Sequence, residues 1–166
     1  MSVDNPKVAA IRQSIKQSYT NLNELLNGPV GALYATKLYQ KPTENEWTIM
    51  ENLAHIVEFM PYWGNEVAKL VARPGQNFGR TAQDEGRERS LREHGHDTLR
   101  QAQEALPGSY EQLDTILSRV NDQDLELTGH HVKFGERTLE WFIDGFIVEH
   151  LREHVVQIKE CLEAIN

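Results

Sequence analysis

The chain has one cysteine, Cys161, so it can form no internal disulfide, and a disulfide-stapled secreted scaffold is excluded. It has no uncharged apolar run near the length a membrane span needs. The greasiest stretch, 141–148, is broken by Asp144, so no membrane partner is expected. The first residues carry no basic region leading into an apolar one, and no secretory signal is expected. Basic residues are also in the minority: 17 Lys and Arg face 25 Asp and Glu, for a net charge of −8. Binding a phosphate backbone takes clustered cations, and an anionic bilayer repels an acidic protein, so nucleic acid and membrane surfaces are poor partners. Internal repeats and low-complexity tracts are missing, as are strands with clean two-residue alternation. A chain of 166 residues with this make-up is expected to be one cytoplasmic domain spanning 1–166, long enough to bury its own core.

What the sequence does have is helical period. Val8, Ile11, Ile15, Tyr19, Leu22, Leu25 and Leu26 step by three or four, from Pro6 to a stop at Asn27-Gly28-Pro29. A connection of about 20 residues follows, long enough to carry short structure of its own. Thr48-Ile49-Met50-Glu51 then reads as a capping box opening a helix that runs to about Val71 through Pro61. Met50, Leu53, Val57 and Met60 form one apolar stripe of this helix, while Ile56, Phe59 and Trp63 lie outside it, the pattern of a central buried helix. The charged stretch 83–93, with Glu85/Arg89 and Glu88/Arg92 at i,i+4, reads as a solvated helix held by weak surface pairs. Past Gly95, with Asp97 as the expected cap, the stripe Leu99, Ala102, Leu106, Tyr110, Leu113, Leu117 and Val120 passes Pro107-Gly108 without losing phase. A last helix should start near Thr138 and end near Ile165. Helices near 6–27, 49–72, 97–120 and 138–165 predict an all-α four-helix bundle.

Chemistry is carried by the histidines. His150 and His154 lie at i,i+4, one turn apart on one face, where a single metal ion can take both rings. Seven histidines make such a pair a weak signal alone, but its placement adds weight. The inward stripe of the last helix reads Ile143, Ile147, His150, His154, Ile158, Cys161, Ile165, so two imidazoles interrupt an otherwise apolar seam. Buried rings need partners, because an unpaired polar group inside costs about 1–3 kcal/mol. A hydrogen-bonded structural pair is the plainer alternative to a metal site. His94, His96, His130 and His131 sit in charged or glycine-flanked segments and read as solvated loop residues. His55 alone lies within another core helix, which makes it the best third ligand. Glu51, Glu58 and Glu153 are the carboxylates that helix geometry places near these rings. The formal H-x-x-E-H match at 150–154 leaves only 12 residues for a further zinc ligand and reads as coincidence. A di-iron bundle would need Glu-x-x-His on two helices, and only Glu93/His96 fits. Cys161 lies about 10 Å along the axis from His154, too far to share its ion, and reads as a buried inert thiol.

Trp47-Thr-x-x-Glu51-x-Leu-x-His55-Ile, followed by His150-x-x-x-His154-x-x-Gln157-Ile158, resembles the DinB/YfiT-like superfamily over nearly the whole chain. The resemblance implies a four-helix bundle of unusual connectivity, often dimeric, with a divalent metal, commonly nickel or zinc, on residues matching His55, His150 and His154. It implies chemistry on a small-molecule substrate: transfer or isomerisation with a low-molecular-weight thiol, or hydrolysis. The alternative is a non-catalytic metal-binding or stress-response binding protein. The family resemblance and the aromatics Tyr62, Trp63 and Trp141, a residue class favoured at interfaces, together lead us to expect a homodimer. The stretch from Gly75 to Gly95, which looks like an insertion, and Pro107 depart from the simple family pattern at the rim of the expected pocket.

Overall fold

The structure is a computed structural model and describes residues 4–166. Four long helical rods make the body: α1 (Pro6–Asn27), α2 (Ile49–Ala72), α4 (Leu99–Leu117) and a terminal rod. A short charged helix, α3 (Glu85–His94), lies against α2. The terminal rod comprises α5 (Leu139–Ile143), a π-helical segment (Asp144–Glu149) and α6 (His150–Ile165). Its junction residues all keep right-handed helical dihedrals, so it is one continuous element. π segments inside α-helices are uncommon and concentrate at functional sites.

Two local expectations are corrected. A two-stranded antiparallel hairpin, β1 (Thr128–His131) and β2 (Gly135–Thr138), precedes the terminal rod, with Thr128 opposite Thr138 and His131 opposite Gly135. Strands this short are too brief to show alternation, and Gly135 makes the turn at φ +72°. The cap of α4 is Thr98, in a capping box with Gln101, while Asp97 pairs with His94 Nδ1 at 2.8 Å. The Thr48–Glu51 capping box of α2 forms as expected.

Burial follows the expected stripes. Helix α2 is buried on several sides, with Leu53, Ile56, Phe59, Met60 and Val67 all inaccessible, because α4, α6 and α3 pack around it. Pro61 removes the N–H that would have bonded the carbonyl of Val57. Ser109 of α4 takes that place, donating to the Val57 carbonyl at 2.8 Å. Pro107 lies on the exposed side of α4, and the helix runs through it.

The segment between α2 and α3 is folded back along the bundle. Phe78 is buried, its N–H donates to the His130 carbonyl, and Gly79 N–H donates to Glu66. Gly79 sits at φ +81°, with the Trp63 ring 2.9 Å from where a Cβ would be, so only glycine passes there. This return brings Arg80 back over α2 and aims α3 across its histidine-bearing side.

Candidate metal site

Each of the three rings is positioned by a different local device. His55 is on α2, seven residues past the Thr48 cap, and is 2% exposed. His150 begins α6 where the π segment ends, and its Nδ1 donates to the carbonyl of Phe146 within that segment at 3.1 Å. His154 follows one turn later, and its Nδ1 donates to Asn52 Oδ1 at 2.8 Å. The Asn52 amide cannot turn the other way, because its Nδ2 donates to the Thr48 carbonyl at 3.0 Å.

These partners fix the protonation pattern. A ring whose Nδ1 carries the proton presents a bare lone pair at Nε2. His150 and His154 are therefore both held with Nε2 free. His55 Nε2 lies 3.1 Å from His150 Nε2, and one ligand atom from each of the three rings falls within 4.8 Å of the others. Two ligands at the usual Zn–N distance on a tetrahedral ion stand roughly 3.3 Å apart, close to that spacing. Facing lone pairs repel unless a proton or a cation sits between them. A proton there makes His55 the donor and leaves its Nδ1 bare, and that buried atom has no hydrogen-bond partner. A cation there lets His55 carry its proton on Nδ1, toward Glu58 Oε2 at 3.9 Å. The donor set thus fits a divalent transition metal, for which neutral imidazole is a preferred ligand.

Burial drives all three rings toward neutrality, pushing His55 down to about 2, His150 to about 4 and His154 to about 3. The charges of the neighbouring rings and of Arg87 add to the depression at His55 and His154. Trp47 stacks on His154 and meets His55 edge-on, while Phe59 stacks on His150, so aromatic walls enclose the cluster.

Two clefts reach the cluster. One of about 500 Å³ opens beside His154, with Trp47, Glu46, Glu160 and Cys161 on its walls. The other, of about 330 Å³, opens beside His55 and His150, with Arg80, Phe146 and Glu153. Arg87 lines both.

The other sequence candidates separate clearly. Of the three carboxylates, Glu58 reaches the site, where Arg80 grips it through two bonds of 2.6 Å. Glu51 is spent in the α2 cap, and Glu153 stands on a cleft wall. His131 is corrected: it is 2% exposed and far from a solvated loop residue, with Nδ1 accepting from the Lys133 N–H and its ring packed on Phe146. Cys161 lies on the larger cleft wall with its thiol pointed at the carbonyls of Gln40 and Trp47, and burial pushes its pKa up. Sequence reasoning missed Asn52, Arg80 and Arg87. Asn52 at three residues before His55 was the legible one, a polar residue inside an apolar helix; the two arginines depend on how the 73–94 segment folds back.

Residues 15–158 match the model of the DinB superfamily. The chain belongs to the DinB superfamily. This DinB protein is 30% identical over 140 residues to the uncharacterised protein YuaE of Bacillus subtilis strain 168, covering 78% of this chain and 86% of YuaE. Its fold matches that of YfiT from Bacillus subtilis, described as a probable metal-dependent hydrolase with an unusual four-helix bundle topology. The TM-score is 0.76 at 16% identity, over 96% of this chain and 88% of YfiT. An uncharacterised protein from Clostridium difficile 630 matches with a TM-score of 0.65 at 14% identity, over 96% of each chain. None of the helices among the described residues is long and apolar enough to cross a membrane.

Proposed function

We propose that this DinB protein is a metal-dependent enzyme in which His55, His150 and His154 hold one divalent ion, nickel or zinc, through their Nε2 atoms. The observation that carries the reading is the convergence of three rings, each with one ligand nitrogen within 4.8 Å of the others, whose Nδ1 sides face Glu58, the Phe146 carbonyl and Asn52. Three protein ligands leave one position for water or substrate, the arrangement of catalytic rather than structural sites. Such an ion, when bound, lowers the pKa of a coordinated water or thiol enough to give a nucleophile at neutral pH. The chain's own part is to hold the three rings neutral, to fix their tautomers and to wall the centre with Trp47 and Phe59 while both clefts stay open. The reaction is transfer involving a low-molecular-weight thiol, or hydrolysis, on a small molecule sized for these clefts. The resemblance to YfiT in fold is consistent with the hydrolytic branch. Open clefts on two sides of the rings favour an enzyme over a non-catalytic metal-binding protein, which would close its site.

Within this reading the chain acts as one cytoplasmic domain and pairs as a homodimer. Trp63 and Tyr62 are occupied internally, against Phe146 and under Arg80, so among the three aromatics Trp141, 40% exposed, remains for an interface. The test is elemental analysis of protein purified without added metal, alongside the His150→Ala/His154→Ala variant. We expect one transition metal per chain in the wild type and none in the variant, with helix content preserved. Stoichiometric metal in the double variant would place the site elsewhere.

A further inference from the structure

The geometry points to Arg87 as an anion clamp: we propose that the substrate carries a carboxylate held between Arg87 and the open position of the three-histidine centre. The inference rests on the metal reading above and adds the substrate's charge class to it.

Arg87 is the residue where the two clefts meet, for it lines the one beside His154 and the one beside His55 and His150. Among the described residues no carboxylate lies within ion-pair distance of it, whereas Arg80, next to it, is neutralised by Glu58 at 2.6 Å and Asp84 at 3.3 Å. One Arg87 N–H, from Nη1, donates to the Ala82 carbonyl, and its guanidinium lies 5.1 Å from the Trp47 ring centroid. A half-buried guanidinium with unspent donors beside a ligand cleft is suited to gripping a carboxylate in a bidentate pair.

Charge balance leads to the same place. Three neutral imidazoles bring no negative charge to a dication, and Arg87 adds a further positive charge beside it. The carboxylates on the cleft walls, Glu153 on one side and Glu46 and Glu160 on the other, form no ion pair with Arg87. A substrate carboxylate supplies the missing charge. The helix that delivers Arg87 supports the assignment: α3 is mostly polar, with Leu91 its one large apolar side chain, and buries none of its residues, yet its N-terminus is fixed by Asp84, which accepts from the backbone N–H of Arg87 and binds the Arg80 guanidinium.

The experiment uses cobalt-loaded protein, first assayed for one cobalt per chain, and follows its visible spectrum as acetate, acetamide or inorganic phosphate is added. We expect saturable acetate binding, no comparable response to acetamide, and about tenfold or greater weakening of acetate binding in Arg87→Gln, the loss typical of a charge-assisted hydrogen bond. Arg87→Lys should fall between the two, and Arg89→Gln, on the same helix but paired with Glu85, should match wild type. Unchanged acetate affinity in Arg87→Gln, or acetamide binding as tightly as acetate, overturns the proposal. Phosphate binding more tightly than acetate through Arg87 overturns the carboxylate assignment. Failure to take up cobalt refutes the metal reading instead. Arg87 is then judged in metal-free protein by the acetate-induced shift of the Trp47 indole N–H resonance, which must vanish in Arg87→Gln.

Discussion

Metal-free protein should be destabilised steeply by mild acid, and the size of the effect follows from the three buried rings. In the unfolded chain each histidine titrates near 6.5. In the folded chain burial pushes them down to about 2, 4 and 3. A ring that stays neutral when folded but takes a proton when unfolded stabilises the fold fully above about pH 6.5. That stabilisation is lost as the pH falls toward the folded values, because the unfolded state then binds protons the native state refuses. Between about pH 7 and pH 5.5 the unfolded chain gains most of these three protons and the folded chain almost none. The linkage relation gives about 1.2 kcal/mol per ring, close to 4 kcal/mol in all. Domains are stable by only about 5–15 kcal/mol, so this loss is a large share. Asp114, held low by the Arg12 guanidinium, loses its contribution only further into acid. The assay is urea unfolding with a chelator present at both pH values, for wild type and for a variant with all three rings replaced by Gln. The wild type should lose about 4 kcal/mol and the variant much less. Equal losses in the two proteins would refute the placement of three neutral rings in the interior.

Two further outcomes probe the supporting structure. Asn52→Ala removes the acceptor that holds His154 in its tautomer, so metal affinity, measured by competition with a chelator, should weaken by about 10- to 100-fold. Ser109→Ala strands the Val57 carbonyl inside the bundle and should cost about 1–3 kcal/mol in urea unfolding. Pro61→Ala in that background restores an N–H for the same carbonyl and should recover part of the loss; no recovery would mean that Ser109 acts otherwise.

The sequence by itself determined the rods. Spacings of three and four at Val8 to Leu26, Met50 to Met60, Leu99 to Val120 and Ile143 to Ile165 are local facts, and a helix translates them into a buried face without reference to anything distant. The Thr48–Glu51 cap, the pairing of His150 with His154 one turn apart, and the placing of His55 on a core helix were legible for the same reason. What pairs across the bundle was not. Tertiary structure decided that the carbonyl freed by Pro61 would be met by Ser109, 52 positions away, and that Asn52 would face His154 across 102 positions. The charged stretch 83–93 read as a surface helix, and α3 is one, with its Glu85–Arg89 pair formed at 3.2 Å. Yet the fold-back through Phe78 and Gly79 turns one of its arginines into the lining of both clefts. The same holds for His131, whose glycine-flanked setting reads as solvent but whose ring is covered by Phe134 and Phe146 once the hairpin closes. Periodicity reports which face of an element is apolar; which polar groups meet on the far side depends on packing between segments distant in sequence, and no local pattern encodes it.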